Sequence, residues 1–462
     1  MTNEILESSS FRDPSGFVFY RNGQLYRQVN LVYKSNYDLF ISSGLYNELN
    51  NKGLLLPHQE DDIKKAVTED AYKIIKPLQL NIISYPYEWC FSQLKDAALL
   101  TLEIQQIALQ HGMVLKDASA YNIQFYKGKP VFIDTLSFEV YKEGSPWVAY
   151  RQFCQHFLVP LVLMKYNDVR MNQLSKVFLD GIPLDFAVKQ LPTKCLFNFA
   201  LFSHIFMHAK SQKYFGGKQV AKSIHSMSKF QLTALIDNMQ SFIVNCRWKL
   251  KDSEWGNYYS DTNYSDEAHA QKQKIVRQFL LQTSSGLVLD IGGNVGTYSR
   301  LANNLGREAV CLDIDPVAVE KNYLSVKNSD EKKLLPLIMD VTNPSPGIGW
   351  GNEERQSFFQ RISADTIIAL ALLHHLAISN NLPFQKIAVL FRNICKYCII
   401  EWIPKEDSQV QRLLATRQDI FTNYSKEQFE KCFNQQFDII EKVPIEGSLR
   451  TVYLLMVKTK RN

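Results

Sequence analysis

Apolar and polar positions alternate through residues 17–20 and again through 24–29, with Arg21-Asn22-Gly23 between them. Asn-Gly readily takes the positive backbone angles of a tight turn, so the chain opens with a β-hairpin. A mostly helical stretch follows the hairpin and ends in 94–110, where the apolar residues recur at three and four, the period of a helix with one buried face. A second hairpin turns at Lys127-Gly128-Lys129-Pro130 and leads into a strand, 131–133, that closes at Asp134. The pattern from 147 to 242 is helical with no alternating strand, and a further helix covers 266–282. Beyond it, short apolar runs at 287–291, 309–312, 337–339, 366–370 and 397–400 are separated by helical text. That is the signature of parallel strands covered on both faces. Ser425-Lys426-Glu427-Gln428 reads as a capping box opening a helix. The closing strands, 437–440 and 451–456, are joined by 444–447, a link too short for a helical crossover, so they pair antiparallel.

At 462 residues the chain exceeds one ordinary core and suggests two or three units, divided as 1–150, 151–250 and 251–462. Hydrophobic residues at 46% and charged residues at 21% describe a folded chain rather than a disordered one. The start, Met1-Thr2-Asn3-Glu4, is polar and acidic where an export signal is basic and then apolar. The apolar runs 157–164 and 366–373 fall far short of a bilayer span, so the expectation is a cytoplasmic protein with no membrane span. Eight cysteines lie without a framework and suit free thiols in a reducing compartment. Cys395 and Cys398 form a single CxxC with no second ligand pair, which favours core packing over metal.

A net charge of +6 does not call for nucleic acid. Basic residues do bunch at Lys210, Lys213, Lys218, Lys222, Lys229, Arg247, Lys249 and Lys251, opposed by Asp237, and this reads as a solvated face ahead of a patch for RNA or an acidic ligand.

The chemistry concentrates in Gly286-Leu287-Val288-Leu289-Asp290-Ile291-Gly292-Gly293-Asn294-Val295-Gly296, a buried strand, a carboxylate and a glycine turn into a helix. Asp290 beside the turn disfavours an anionic pyrophosphate and suits a ligand bearing an ammonium and a sulfonium, such as S-adenosylmethionine. Glycines at 292, 293 and 296 also depart from the G-x-G-x-x-G of dinucleotide sites. Asp313, about twenty residues on, is placed for ribose hydroxyls. Asp340 is placed for an adenine amine, with Val341 or Met339 against the ring.

With these motifs, residues 255–462 resemble class I S-adenosylmethionine-dependent methyltransferases. The resemblance implies a Rossmann-like α/β sheet with an antiparallel last strand. It places the cofactor on Asp290, Gly292, Gly293, Asn294, Gly296, Asp313, Asp340 and Val341, with Asn294 at the middle glycine position, where asparagine tolerates a left-handed backbone. The fourth motif falls on 365–375. His374, His375 and Glu401 follow strands and are the candidate catalytic residues: either histidine to take a proton, Glu401 to orient an amine or hydroxyl. Packing against the cofactor is the competing role for the histidine pair. Tyr258, Tyr259 and Tyr264 precede this region, where a lid would cover the sulfonium or a planar acceptor.

The first half carries Leu115-Lys116-Asp117-Ala118-Ser119-Ala120-Tyr121-Asn122 and then Pro130-Val131-Phe132-Ile133-Asp134. This resembles the catalytic loop and metal-binding aspartate of kinase-like phosphotransferases, which implies an α+β, kinase-like N-terminal domain, with ATP and magnesium as partners if it is active. Leu115 replaces the usual His, Thr135-Leu136 replaces Phe-Gly, and no glycine-rich loop stands upstream. Taken with Glu401-Trp402-Ile403-Pro404, the whole chain resembles bacterial nodulation-associated methyltransferases of the NoeA type. That resemblance implies a small-molecule or glycan-like acceptor selected by the N-terminal half. A non-catalytic cofactor-binding scaffold is the remaining reading.

Overall fold

The computed structural model describes residues 4–210, 226–250, 265–415 and 418–458. The contacts divide the chain into two units, one of residues 1–249 with 346–356, the other of 250–345 with 357–462. The excursion 346–356, which returns to the first unit, has no counterpart in the sequence pattern.

The first unit is α+β. Strands β1 (Glu4–Leu6), β2 (Gly16–Arg21), β3 (Gln24–Asn30), β4 (His58–Asp61) and β5 (Ala71–Pro77) form an antiparallel sheet in the order β1-β2-β3-β5-β4. The β2–β3 turn holds Asn22 and Gly23 at φ 52° and 77°, the pair of positive angles that an Asn-Gly hairpin takes. The long helix Phe91–Gln110 buries Leu94, Ala98, Leu102 and Leu109 along one stripe. It leads to β6 (Met113–Leu115), β7 (Ile123–Tyr126), β8 (Lys129–Phe132) and β9 (Phe138–Val140), which pair as β6-β9 and β7-β8. Among the described residues beyond 147, helices run between Tyr150 and Met207 and again over Lys229–Asn245. Arg12 clasps Glu354 of the returning segment at 2.7 and 2.8 Å, and Arg355 lies 4.5 Å from the centre of the Tyr121 ring.

The second unit is built on β10 (Val288–Ile291), β11 (Ala309–Asp313), β12 (Leu334–Ile338), β13 (Thr366–Ala369), β14 (Tyr397–Trp402), β15 (Phe437–Pro444) and β16 (Thr451–Val457). They form one sheet in the order β12-β11-β10-β13-β14-β16-β15. The first five run parallel, and β16 inserts antiparallel between β14 and β15. Alternation along each strand sends Val288, Ile368, Ile399 and Leu454 to one face, where Ile275, Val276, Phe279 and Ala302 of two helices meet them in a continuous core. On helix Phe384–Ile394 the buried residues Phe384, Ile387, Ala388, Phe391 and Ile394 recur at helical spacing. Strand order reverses at β10: the chain moves outward through β11 and β12, then returns to the other side of β10 as β13. Such a reversal leaves a crevice beyond the strand ends that no crossover fills.

Candidate active site

A cleft occupies that reversal point. Its floor is Asp290, Ile291, Gly292, Gly293 and Asn294, and its walls carry Asp313 and Ile314 from β11 and Met339 to Thr342 from beyond β12. Leu370 to Leu372, His375 and Leu376 close the β13 side, and His269 and Lys272 reach in from helix Asp266–Gln282. Asp290, Asp313 and Asp340, at the ends of three adjacent strands, thus share one cavity. Val341 lines it as well, whereas Gly296 opens the helix Thr297–Asn304 behind it.

The turn beneath the cleft is fixed by backbone demands. Asn294 has φ 51°, the left-handed region that asparagine enters more readily than most residues. Its N–H donates to Asp313 Oδ2 at 2.8 Å, and Asp315 N–H donates to Oδ1 at 2.9 Å, so Asp313 ties the turn to β11. At Gly293 a Cβ would stand 2.5 Å from Cys311 Sγ and 2.7 Å from Asp290 Oδ2, which leaves room for glycine alone. Ser299 Oγ donates to Asp290 Oδ2 at 2.6 Å.

Both buried carboxylates are electrostatically uneasy. Burial raises Asp290 to about 6, against the opposing bond from Ser299. Burial likewise raises Asp313 to about 6, against the N–H groups of Asp315 and Asn294. A ligand bringing a cation and hydroxyl donors would relieve both. Asp340 holds Thr342 through its backbone N–H at 2.8 Å and its hydroxyl at 2.7 Å, both on Oδ1.

The candidate catalytic residues separate. His375 lines the cleft, with burial pushing its imidazole down to about 4, so the ring is neutral at neutral pH. His374 lies behind it, 2% exposed and absent from the lining, with the two ring centres 4.1 Å apart. Glu401 also stays out of the lining, because it is engaged elsewhere. Its Oε2 accepts from Lys272 Nζ and from Ala371 N–H, each at 2.7 Å, and Arg450 lies 3.8 Å from its other oxygen. Arg450 in turn forks onto Asp407 at 2.7 and 3.0 Å. A carboxylate held by a buried cation and a backbone amide is a structural anchor, so Glu401 is not placed to orient an acceptor.

Sequence reasoning missed His269, Lys272, Tyr298 and Ile314. One signal for Lys272 was there: the helix buries Ala268, Lys272, Ile275, Val276 and Phe279, which sets a lysine in the middle of an apolar stripe. Ile314 is 57% exposed beside Asp313, an apolar surface left open on the cleft. The tyrosines 258, 259 and 264, and Lys213, Lys218, Lys222 and Lys251, lie outside the described residues. Lys210, Lys229, Arg247 and Lys249 are exposed, and Cys395 and Cys398 are buried free thiols.

In the first unit Asp117, Asn122 and Asp134 also come together. Asn122 donates to Ser137 Oγ at 3.2 Å, and Ser137 Oγ donates to Asp134 Oδ2 at 2.5 Å. Burial, with Asp134 adding to it, raises the Asp117 carboxyl, while Asn122 bonds to it. Asp134 Oδ1 is paired with the guanidinium of Arg27 on β3.

A Rossmann-like sheet of the methyltransferase type, with its last strand inserted antiparallel and acids converging at the reversal point, defines the class of the second unit. No family model matches the chain. Nodulation protein NoeA of Rhizobium meliloti strain 1021 is 35% identical over 455 residues, spanning 96% of this chain and 95% of that protein, and the chain belongs to its family. Among solved structures, the N-methyltransferase NodS of Bradyrhizobium japonicum bound to S-adenosyl-L-homocysteine is 11% identical with TM-score 0.33, over 45% of this chain and 94% of its own. Magnesium protoporphyrin IX methyltransferase of Synechocystis, with the same product bound, is 15% identical with TM-score 0.32, over 44% and 93%. The bifunctional kinase-methyltransferase WbdD is 14% identical with TM-score 0.30, over 42% and 40%. These three likenesses are too distant to bear on the site. No helix among the described residues is long and apolar enough to cross a membrane.

Proposed function

We propose that this protein transfers the methyl group of S-adenosylmethionine to a small-molecule acceptor. One observation carries the reading: the carboxylates of three successive strand ends open into one cleft floored by a glycine turn. The donor and acceptor chemistry fits the cofactor along its length. Lys272 meets the methionine carboxylate and Asp290 its ammonium. Asp313 accepts from the ribose hydroxyls, a role that suits a carboxylate raised by burial. Ile314, Met339 and Val341 form an apolar slot for a purine, with Asp340 at its amine.

Bound there, the cofactor supplies an electrophilic methyl on a sulfonium, and the residues of the chain supply position. Leu370, Leu372 and Leu376 keep water from the β13 side, and alignment of acceptor with methyl provides most of the acceleration. Where the acceptor has to lose a proton, the neutral rings of His375 and His269 are the imidazoles in the cleft able to take it.

We assign no phosphotransfer to the first unit. The kinase-like resemblance places magnesium on Asp134, and there the Arg27 guanidinium already supplies the positive charge.

The test is calorimetry with S-adenosylhomocysteine. Wild type binds, and Asp313→Ala weakens binding by about 1–3 kcal/mol. Asp313 also braces the turn, so Asp340→Ala, which disturbs only Thr342, is the companion and is expected to weaken binding too. Unchanged affinity in both variants removes the assignment.

A further inference from the structure

The second unit holds another cavity, of about 390 Å³, within the size range of small-molecule sites. It shares the π-helical turn His375–Ser379 with the cofactor cleft: Leu376 and Ser379 line the cleft, while Ala377 and the following Asn381 line the cavity. The two differ sharply in chemistry. Three aspartates, two histidines and a lysine line the cleft, whereas no Asp, Glu, Lys, Arg or His lines the cavity.

Two kinds of group make up most of the cavity wall. Asn381, Gln385, Asn423 and Gln428 bring four primary amides, and no protein group among the described residues hydrogen-bonds to any of these side chains. Phe384, Phe421 and Tyr424 bring aromatic rings. Phe384 and Tyr424 are locked, with ring centres 5.5 Å apart and both rings against Trp402, at 6.0 and 5.0 Å. The Tyr424 hydroxyl is spent on Ile403 O at 2.7 Å, so that ring offers apolar surface only.

We propose that this cavity binds the sugar ring of an uncharged carbohydrate, and that this sugar belongs to the methyl acceptor; the second part rests on the methyl-transfer reading above. A sugar hydroxyl both donates and accepts, and a primary amide offers both functions in one group. Amides arranged around a cavity therefore match hydroxyls projecting from several edges of a ring, where a nucleobase presents a fixed pattern on one or two. Aromatic rings take the apolar C–H face of the sugar. With no countercharge present, an ionised ligand would lose its hydration unrewarded, which selects a neutral one.

The experiment uses the full chain and ligand-observed saturation-transfer NMR. The probes are the methyl glycosides of glucose, galactose, mannose and N-acetylglucosamine, with methyl glucuronide as the anionic control and indole as the flat aromatic control. Saturation is expected to reach the ring protons of at least one neutral glycoside, and to fall by about fivefold or more in Gln385→Ala/Asn423→Ala. Both positions are partly or fully exposed, and circular dichroism checks that the variant is folded. The proposal is overturned by silence from all four neutral glycosides, by equal signals in the variant, or by preference for the glucuronide or indole. S-adenosylhomocysteine calorimetry on the same samples keeps the two readings apart. Product binding without sugar contact overturns the cavity assignment and leaves methyl transfer standing; sugar contact without product binding supports the cavity and sinks methyl transfer.

Discussion

Lys272 is a lysine 3% exposed in a helix stripe that is otherwise apolar, and burial, with the charge of Arg450 adding to it, pulls its pKa below the ordinary value. Glu401 opposes that shift at 2.7 Å, which keeps an ammonium within reach of the cleft. A charge this costly to bury, and open to a ligand cavity, suits an anionic ligand group. The product S-adenosylhomocysteine carries a carboxylate, and 5′-methylthioadenosine lacks one, so the pair of ligands isolates this contact. Removing Lys272 alone would strand Glu401 in the interior, a loss of about 3–5 kcal/mol of stability. The informative variant is therefore Lys272→Met/Glu401→Gln, in which an amide oxygen still accepts from Ala371 N–H. Calorimetry is expected to show S-adenosylhomocysteine weakened by roughly tenfold or more while methylthioadenosine binds as before. Equal weakening of both ligands, or of neither, would remove the carboxylate contact.

The link from β10 to helix Thr297–Asn304 shows how far an element is specified by space rather than by propensity. Gly292 and Gly296 sit at φ 72° and 82°, and Asn294 between them at 51°, so the backbone winds through the left-handed region three times. Gly293 is constrained differently, by Cys311 Sγ and Asp290 Oδ2 where a methyl would stand. Gly293→Ala is expected to push Asp290 and the turn apart, abolishing product binding in calorimetry while far-UV circular dichroism stays that of the wild type. Binding within threefold of wild type would mean that the turn gives way more easily than its packing indicates. Much of this element was legible in the sequence, because strand, carboxylate and glycines are local, and so were the seven strands and their antiparallel end. What escaped was tertiary. Glu401 follows Ile399 and Ile400 in an apolar strand, and nothing local says that its partner is Lys272, 129 positions back. The segment 346–356 has no signature in the sequence pattern, and tertiary contacts such as the clasp of Arg12 on Glu354 and Arg355 against Tyr121 place it with the first unit. For the same reason the histidine pair gave its position but not which ring meets the cleft.

Across the whole molecule the titrating groups respond to burial in opposite senses, and their numbers settle how stability varies with pH. Among the described residues seven histidines, at 58, 156, 204, 208, 269, 374 and 375, are held below their ordinary value, with burial the largest cause in each. As pH falls through the ordinary histidine range, about 6.5, the unfolded chain takes up these protons and the folded chain declines them, so stability is lost down to about 4. Asp117, Asp290 and Asp313 work the other way. Their folded forms bind protons first, which adds stability as pH falls toward 4. Seven groups against three leave the histidines ahead, and heating monitored by circular dichroism is expected to give an earlier first transition at pH 5 than at pH 7. The underlying difference in stability is on the order of a few kcal/mol, since each unit of displaced pKa is about 1.4 kcal/mol. A transition at pH 5 equal to or later than that at pH 7 would mean that the buried rings are already charged in the folded state. In that event the neutral imidazole assigned to His375 would be lost with them.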